Sequence, residues 1–298
     1  MGTTPRVTAS TTESTTAGSQ RPPELVLGTA QLGNRYGVLD RGVEPGPVGA
    51  RFLQKAAEAG IRTLDTAPAY GAAEAIIGEA AWSGGLHSKV ASGTDPVVSL
   101  RESLRRTRRD SVDVLYLHDA TAVFNAYPFA REEEQLMSAG AKRLGASLYE
   151  LSEFHAALRH PCVKVLQVPL NVLDRRFGGA NLEAAREHGV DVFVRSVFLQ
   201  GLLLADPAHL PPSTKHLEPF VTLVQTIGTQ FDVPVQALVL QWVKRQPLRG
   251  VIVGVTSEQE LEALVTAWSY PVPDMAVEAL SDIVVPDWDE VDPRKWRT

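Results

Sequence analysis

The sequence predicts a single-domain α/β protein with the (β/α)8 fold, a TIM barrel. From Glu24 onward, eight short apolar runs alternate with amphipathic stretches of helical period. The runs are almost continuously apolar, as in parallel strands that are buried on both faces. They begin roughly 21 to 36 residues apart, with one longer gap before the last run. This spacing is typical of eight β/α units that close into a barrel.

The apolar runs are the predicted strands. In chain order they are LVLGT (25–29), IRTLD (61–65), KVAS (89–92), VDVLYLH (112–118), KRLGAS (142–147), VKVLQV (163–168), VDVFVRS (190–196) and GVIVG (250–254). An open sheet that binds a dinucleotide is the alternative fold. Its GxGxxG motif is absent after the first strand, where the loop reads GTAQLG.

Helical patterns lie between the strands. The clearest are VGARFLQKAAEAG (48–60), AEAIIGEAAW (73–82), VVSLRESLRRT (97–107), LYELSEFHAALRH (148–160), LEAAREHG (182–189) and VQALVLQWVKR (235–245). Several begin at a capping residue or proline and end at glycine, as helices commonly do.

Composition limits the classes of partner. The chain has 298 residues, of which 44% are hydrophobic, so it can bury a large core. Its net charge of -6 gives no electrostatic reason to expect nucleic acid or an anionic membrane as a partner. The one basic run, RRTRRD (105–110), is interpreted as a solvated helix end, where cations suit the helix dipole. The sequence does not indicate an oligomeric state.

The N-terminal segment and the single cysteine bear on the cellular location of the protein. Residues 1–23 are rich in Thr and Ser and lack an apolar stretch, so we predict a disordered tail rather than a secretory signal, with the barrel over residues 24–298. Cys162 is the only cysteine, which excludes an intramolecular disulfide and a cysteine-based zinc site. No later segment is apolar for the ~18 residues of a membrane span. We therefore expect a soluble, cytoplasmic protein.

Reactive residues lie at or near successive strands. Asp65 ends the second run, and Tyr70 lies in the loop after it. Lys89 begins the third run, and His118 ends the fourth. Because the C-terminal ends of barrel strands open onto one face, we expect these four side chains to meet there.

The residue types indicate carbonyl chemistry. Tyrosine has an ordinary pKa of about 10, a lysine cation beside it favours the phenolate, and an aspartate keeps that lysine charged and oriented. Histidine can complete a hydrogen-bonding pair around a carbonyl oxygen. Such a site can polarise C=O and deliver a proton, but it offers no strong nucleophile. The missing hydride has to come from a cofactor such as a nicotinamide.

The motifs LDTAPAYG, SKV and LYLHDA, in that order, resemble those of the aldo-keto reductases, which are NAD(P)-dependent (β/α)8 barrels. The resemblance runs from about Val26 to Thr266. It implies that Asp65, Tyr70, Lys89 and His118 form a catalytic tetrad in which the tyrosine is the general acid, lysine and aspartate tune it, and histidine orients the carbonyl.

Further motifs resemble the cofactor site of this family. LGTAQLG matches the segment beside the nicotinamide, GASLYE and LQVPLNVLDRR match the strands that hold its carboxamide, VRSVFLQGLL matches the loop over the pyrophosphate, and GVIVGVTSEQELEAL matches the adenosine segment. In that order, the implied cofactor residues are Gly28, Thr29, Ser147, Gln167, Arg195, Ser196, Phe198, Gln200, Gly201, Gly254, Thr256 and Glu260.

Three positions depart from the family pattern. Leu148 follows Ser147 where an asparagine is usual, and Arg195 replaces an aromatic residue that stacks on the nicotinamide. A guanidinium can stack on a ring as well. At the adenosine end, Glu260 stands where a cation often pairs with the 2′-phosphate of NADPH. The cofactor is therefore expected to be NADPH or NADH, and the choice between them stays open.

The expected activity is reduction of an aldehyde or ketone to an alcohol. The segments LGTAQLG and RSVFLQGLLL resemble those of bacterial family members that act on sugars or other polyols, and this resemblance implies a sugar or polyol-type carbonyl as the substrate class. One alternative is a cofactor-binding sensor or regulatory barrel with little turnover. Another is a metal-dependent isomerase or hydrolase, which requires three or more His, Asp or Glu ligands at strand ends. No metal site is predicted, because Lys89 would repel a cation held between Asp65 and His118. Five aromatic residues either line the pocket or pin loops to the barrel: Phe124, Tyr127, Phe129, Trp288 and Trp296.

Overall fold

The computed structural model describes residues 21–33, 49–91, 93–117 and 127–296, with residues 127–132 as helical backbone. The predicted disordered tail covers residues 1–23, of which residues 1–20 lie outside the described part of the chain. The division into a tail and a barrel over 24–298 therefore stays a prediction.

The strands form one closed parallel barrel in the order of the sequence. They are β1 (Glu24–Gly28), β2 (Thr63–Asp65), β3 (Gly85–Lys89), β4 (Val114–Leu117), β5 (Leu144–Ser147), β6 (Val163–Pro169), β7 (Asp191–Arg195) and β8 (Gly250–Gly254). β1 closes the barrel by pairing with both β2 and β8. The predicted single-domain (β/α)8 fold is confirmed.

Helices alternate with the strands. In the described ranges they are α1 (Ala30–Gly33), α2 (Ala50–Glu58), α3 (Ala73–Glu79), α4 (Pro96–Thr107), α5 (Tyr127–Ser138), α6 (Leu151–Leu158), α7 (Ala180–Glu187), α8 (Glu218–Gln230), α9 (Val235–Lys244), α10 (Glu258–Ser269), α11 (Asp274–Ser281) and α12 (Trp288–Val291). The predicted helices lie where expected, with ends that differ by a few residues. The long gap before β8 contains α8, α9 and short 3-10 turns. Over the described ranges, no helix is long and apolar enough to cross a membrane.

The position of the third strand differs from the prediction. The run KVAS (89–92) was expected to form it, but β3 is the preceding segment GLHSK, and Lys89 is its last residue. Alternate residues of a strand face opposite sides, so the polar residues of one face interrupt the apolar pattern. In GLHSK these are His87 and Lys89. His87 pairs in register with Asp65, and Lys89 pairs with Tyr116, so polar side chains enter the barrel interior from a buried strand. An apolar run could not indicate such a strand.

The interior below the mouth is filled by side chains from alternating strands, as in other closed barrels of eight strands. The apolar interior cluster comprises Val26, Val114, Tyr116, Val165, Phe193 and Ile252. Gly145 makes room for Tyr116, because a Cβ on Gly145 would lie 2.8 Å from the tyrosine ring. A larger core lies between the strands and the helices. The barrel therefore gives the mouth a rigid floor.

The basic run 105–110 ends a well-capped helix. Asp95 accepts a hydrogen bond from Val98 N at 2.8 Å at the start of α4, and Arg108 closes the helix with φ +52°. Arg105 and Arg106 both pair with Glu102 on the helix surface. The exposed side chains of Arg105, Arg106 and Arg108 agree with a solvated helix end, whereas Arg109 is partly buried and donates to the Trp82 and Gly84 carbonyls.

Candidate active site

A buried ion pair lies at the barrel mouth. Lys89 Nζ, at the end of β3, lies 2.6 Å from Asp65 Oδ1, at the end of β2. The side chains are 1% and 5% exposed. Lys89 Nζ also donates to the backbone oxygen of Thr66 at 3.0 Å. Two charges removed from water are tolerated only when each is paired and hydrogen-bonded, and both conditions are met here.

Tyr70 lies beside this ion pair. It is partly exposed, in the loop that leads from β2 to α3, and Lys89 Nζ is 4.9 Å from the centroid of its ring. Burial by itself lowers the pKa of Lys89, but the Asp65 carboxylate and the Tyr70 hydroxyl raise it, and the pKa stands above its ordinary value. Lys89 is therefore a permanent cation at neutral pH, adjacent to a phenol.

A chain of side-chain hydrogen bonds extends from Asp65 across the mouth. Gln167 Nε2, on β6, donates to Asp65 Oδ2 at 2.8 Å. Ser147 Oγ, at the end of β5, donates to Gln167 Oε1 at 3.1 Å. Both carboxylate oxygens of Asp65 are thus occupied, one by a cation and one by an amide. The amide orientation of Gln167 follows, because its nitrogen faces a carboxylate and its oxygen faces a hydroxyl.

The end of β1 is tied to the same aspartate. Thr29 donates two hydrogen bonds to the Asp65 backbone oxygen, from its amide at 2.9 Å and from Oγ1 at 3.0 Å. Gly28 precedes it and pairs with Asp65 on one side and with Gly254 on the other. The structure therefore brings the predicted residues Gly28, Thr29 and Gly254 to one rim.

Gln31, to which the sequence motifs assign no role, lies at this rim. Its side chain occupies the space where a Cβ on Gly254 would be. Its buried Oε1 has no hydrogen-bond partner in the described part of the chain. A buried acceptor without a donor is costly, so this oxygen is an unsatisfied polar group at the rim.

The loop after β7 has an unusual backbone. Ser196, Leu199, Gln200 and Gly201 all have positive φ, between 50° and 91°. Turns that contain left-handed residues can present amide groups to an anion. The predicted pyrophosphate residues Ser196, Gln200 and Gly201 belong to this loop, whereas the predicted Phe198 is buried in the core.

The predicted adenosine residues form a turn after β8. Glu260 Oε2 accepts from Thr256 N at 2.7 Å and from Thr256 Oγ1 at 2.9 Å. Ser257 caps α10 by accepting from Glu260 N. The glutamate is thus held by the helix start, with its charge at this rim. These contacts leave the choice between NADPH and NADH open.

Arg195 ends β7 and reaches across β6. Its Nη2 donates to the Leu148 backbone oxygen at 3.1 Å, and its guanidinium carbon lies 4.0 Å from the centroid of the Tyr149 ring. Leu148, the first departure from the family pattern, is buried and contributes its carbonyl here. The Arg195 guanidinium thus stacks on an aromatic ring, but this ring belongs to Tyr149, whereas the sequence suggested stacking on the nicotinamide.

The C-terminal segment packs beside Tyr149. The guanidinium of Arg294 lies 4.4 Å from the same ring and pairs with Glu150 and Asp292. Trp288 contacts the Arg176 guanidinium at 4.3 Å, and Trp296 is buried with its indole N–H on the Glu290 backbone oxygen. These contacts favour the interpretation that Trp288 and Trp296 pin the segment to the barrel. Phe124 and the side chains of Tyr127 and Phe129 lie outside the described residues.

Three of the four predicted catalytic residues therefore meet at the mouth. Asp65, Tyr70 and Lys89 are in contact or adjacent, while His118 lies outside the described residues, and its role stays a prediction. Within the described ranges, no three His, Cys, Asp or Glu residues come together in a way that could hold a metal ion.

Sequence reasoning missed several residues of the mouth: Gln31, Thr66, Tyr149 and Arg294. Gln31 lies inside the motif LGTAQLG and Tyr149 inside GASLYE, but their contacts come from other strands and from the C-terminal segment. No local pattern indicates such contacts. Arg294 is 99 residues from Arg195 in the chain, and only the fold places both on one ring.

The residues present fit a nicotinamide dinucleotide. Ser147 and Gln167 offer hydroxyl and amide groups of the kind that a carboxamide requires, Gln31 has an unsatisfied acceptor, and the loop after β7 has left-handed backbone of the kind found in phosphate sites. All of these groups lie on the same face of the barrel as Lys89, where barrel enzymes have their active sites.

Comparisons with known proteins agree with this architecture. The model of the Aldo/keto reductase family matches residues 24–285. Aldo-keto reductase YhdN of Bacillus subtilis (strain 168) is 23% identical over 258 residues, which cover 73% of this chain and 78% of that protein.

Solved structures share the fold at low identity. The holo form of aldo-keto reductase AKR11C1 from Bacillus halodurans is 22% identical, with a TM-score of 0.70 over 90% of this chain and 95% of that one. The glycerol dehydrogenase AKR11B4 from Gluconobacter oxydans is 19% identical, with a TM-score of 0.67 over 89% and 95%. At these identities the likeness concerns the fold alone.

The family match covers most of the barrel, and enzymes of this family act on small-molecule carbonyl substrates with a nicotinamide cofactor. The chain belongs to the aldo-keto reductase family and is an NAD(P)-dependent oxidoreductase that reduces a carbonyl compound with NADPH or NADH.

Proposed function

We propose that Tyr70 is the proton donor of this carbonyl reduction and that Lys89 and Asp65 support it. The observation that carries the proposal is the buried Lys89–Asp65 pair beside the Tyr70 ring at the open end of the barrel. Tyr70 supplies the hydroxyl beside the ion pair, and its side chain is partly exposed, so a substrate oxygen can reach it. His118 is proposed to orient the substrate carbonyl, on the resemblance alone.

Each residue has a distinct task in the proposed reaction. The Tyr70 hydroxyl donates its proton to the carbonyl oxygen as negative charge develops on it. The Lys89 ammonium stabilises the negative charge left on the phenolic oxygen. Asp65 keeps the ammonium in place, and Gln167 fixes the second carboxylate oxygen. When bound, the nicotinamide supplies the hydride, which no side chain can supply.

The cofactor is proposed to lie along the rim from β5 to β8. Ser147 and Gln167 are proposed to bind the carboxamide, with Arg195 and the Gly28–Thr29 segment beside the ring. The loop 196–201 is proposed to bind the pyrophosphate, and the turn with Gly254, Thr256 and Glu260 the adenosine end. The donor and acceptor chemistry of these groups and their common rim support this assignment.

The substrate is proposed to be a sugar or polyol-type carbonyl compound. The segments LGTAQLG and RSVFLQGLLL resemble those of bacterial family members that act on sugars or other polyols, which supports this class. A glycerol dehydrogenase is also among the proteins with this fold. A cytoplasmic location and the absence of a nucleic acid partner belong to the same proposal. The single cysteine and the net charge of -6 support them.

Replacement of the proposed acid tests the mechanism. Tyr70→Phe removes the proton donor but little volume, so turnover of a panel of aldehydes, ketones and keto-sugars should fall by at least 100-fold. Cofactor affinity, measured by quenching of tryptophan fluorescence, should change less than threefold.

Tyr149→Phe is the matched control. It also removes a phenol hydroxyl from the mouth, but the cation beside the Tyr149 ring is Arg195 rather than Lys89. It should keep most of the wild-type rate. If Tyr70→Phe also kept most of the rate, Tyr70 would not be the acid. Cofactor binding without turnover by the wild-type protein would instead favour the sensor.

A further inference from the structure

Two cations of the mouth, Lys89 and Arg195, differ in how far their charges are neutralised. Lys89 is paired with Asp65 at 2.6 Å and is almost completely buried. Arg195 is partly exposed, and among the described residues it has no carboxylate partner. Within the described ranges, its guanidinium donates a hydrogen bond to the Leu148 carbonyl and stacks on the Tyr149 ring, both of which are uncharged. Arg195 therefore leaves a positive charge at the mouth that Lys89 does not.

The position of this charge is fixed by three strands. Arg195 pairs in register with Pro169 at the end of β6, and its side chain reaches the segment that directly follows Ser147 of β5. The guanidinium thus spans the end of β6, whose Gln167 links Ser147 to Asp65. The hydrogen bond to Leu148 and the stacking on Tyr149 limit its movement away from this place.

A fixed cation at a nicotinamide site distinguishes the two redox forms of the cofactor. The oxidised ring carries one positive charge, whereas the reduced ring is neutral. The pyrophosphate and adenosine groups are the same in both forms, so their attraction to Arg195 cancels in the ratio of the two dissociation constants. For a partly exposed charge near the ring, the expected difference in affinity is on the order of tenfold.

We propose that Arg195 makes the site bind the reduced cofactor more tightly than the oxidised one. This inference rests on the proposed function, because it requires a nicotinamide at this mouth. Tighter binding of the reduced form shifts the equilibrium on the enzyme toward alcohol oxidation. In that direction Tyr70, as the phenolate, would accept the hydroxyl proton of the alcohol. A bound oxidised nicotinamide would accept the hydride from the alcohol carbon, and Arg195 would then lie beside an uncharged ring.

The test measures binding and does not depend on turnover. Dissociation constants of NADP+, NADPH, NAD+ and NADH are determined by tryptophan fluorescence for the full-length protein and for Arg195→Met, which keeps the chain length but removes the charge. The ratio of oxidised to reduced constants should fall about tenfold in Arg195→Met. Arg195→Lys should keep most of the wild-type ratio, because it retains the charge.

Arg294→Met provides the matched control. Arg294 stacks on the same tyrosine ring, but Asp292 and Glu150 neutralise its charge at 2.6 and 2.8 Å. Its replacement should leave the ratio within twofold of the wild-type value. Equal weakening of both redox forms in Arg195→Met, with an unchanged ratio, would show that Arg195 only packs against Tyr149, and it would overturn the inference.

A measurement on the wild-type protein alone keeps the inference testable if Arg195→Met does not fold. Raising the salt concentration from about 0.05 to 0.5 M screens the repulsion, so the ratio should decrease. A ratio that does not change with salt contradicts the inference. Absence of binding for all four nucleotides would overturn the proposed function itself, which separates the two failures.

Discussion

At the scale of single residues, Asp65 and Lys89 carry opposite charges in a part of the barrel from which water is excluded. Two isolated charges there would each cost several kcal/mol. They persist because each has further partners: the Thr66 carbonyl for the ammonium and the Gln167 amide for the carboxylate. This arrangement stabilises the protein little compared with an apolar pair. Its benefit is a cation held beside Tyr70.

Breaking this pair should be costly. Lys89→Met leaves the Asp65 carboxylate buried without its cation, and we expect the free energy of unfolding to decrease by roughly 3 to 5 kcal/mol, with loss of turnover. Lys89→Met combined with Asp65→Asn should recover most of that stability without activity. Urea unfolding measures both effects. Lys142→Met, which breaks the largely exposed pair with Asp113, should cost less than about 1 kcal/mol. Equal losses in the two single variants would contradict this account.

His87 gives the protein a dependence on pH. Burial lowers its pKa to about 4, against an opposing effect of the Asp65 charge. Since the unfolded chain binds the proton near pH 6.5, the unfolded state holds more protons between pH 6.5 and 4, and stability falls as pH decreases through that range. Above it, His87 has no effect.

Between pH 7 and pH 5, the free energy of unfolding of the wild-type protein should therefore decrease by about 2 kcal/mol more than that of His87→Gln. Urea unfolding at a series of pH values measures this shift. Parallel pH profiles for the two proteins would mean that the pKa of His87 is the same in the folded and unfolded states, which would contradict this account.

At the scale of secondary-structure elements, close approach decides residue choice more than intrinsic propensity. Gly78 lies inside α3, where glycine weakens a helix by about 1 kcal/mol relative to alanine. A Cβ at this position would overlap the Arg106 carbonyl of α4. The glycine thus allows α3 and α4 to pack together, and this contact holds the helix that follows the Tyr70 loop.

We expect Gly78→Ala to destabilise the protein by about 1 to 3 kcal/mol, although alanine is the better helix former. Thermal or urea unfolding measures the change. Glu79→Ala, at an exposed neighbouring position of the same helix, should alter stability by less than about 0.5 kcal/mol. An increase in stability for Gly78→Ala would mean that α3 and α4 can move apart at little cost.

At the scale of the whole molecule, eight short strands converge on one mouth, and the proposed ligand contacts come from β1, β5, β6, β7 and β8 together. A ligand that bridges so many units binds the folded state alone. Binding should therefore stabilise the entire barrel rather than one loop.

At a free concentration of 100 times its dissociation constant, the preferred cofactor should stabilise the protein by about 2.7 kcal/mol. For a chain of this size the entropy of unfolding is about 0.6 kcal/mol/K, so that stabilisation corresponds to an increase in Tm of about 4 to 5 °C. Comparison of NADPH and NADH at equal concentrations then decides the cofactor preference that the turn around Glu260 leaves open. Nicotinamide alone is the control. A Tm that is unaffected by either dinucleotide would contradict the assigned site.

Much of this protein is determined locally. Apolar runs and helical periods predict the barrel, because each β/α unit is encoded by its own hydrophobic pattern. The short motifs around Asp65, Tyr70, Ser147 and Gln167 place reactive groups at strand ends. In a closed parallel barrel, such groups have to share one face, so the candidate site follows from the fold.

Tertiary structure decided what depends on contacts between distant segments. It placed Lys89 at the end of β3 rather than at its start, since a strand that faces a polar interior does not have an apolar pattern. It also brought Gln31 against Gly254 and stacked Arg195 and Arg294 on Tyr149. Over the described part of the chain, Arg294 pairs with Glu150 and Asp292, whereas Arg195 has no carboxylate partner. Local sequence determines hydrophobic period and residue chemistry, whereas the partner of a charge depends on the closed barrel as a whole.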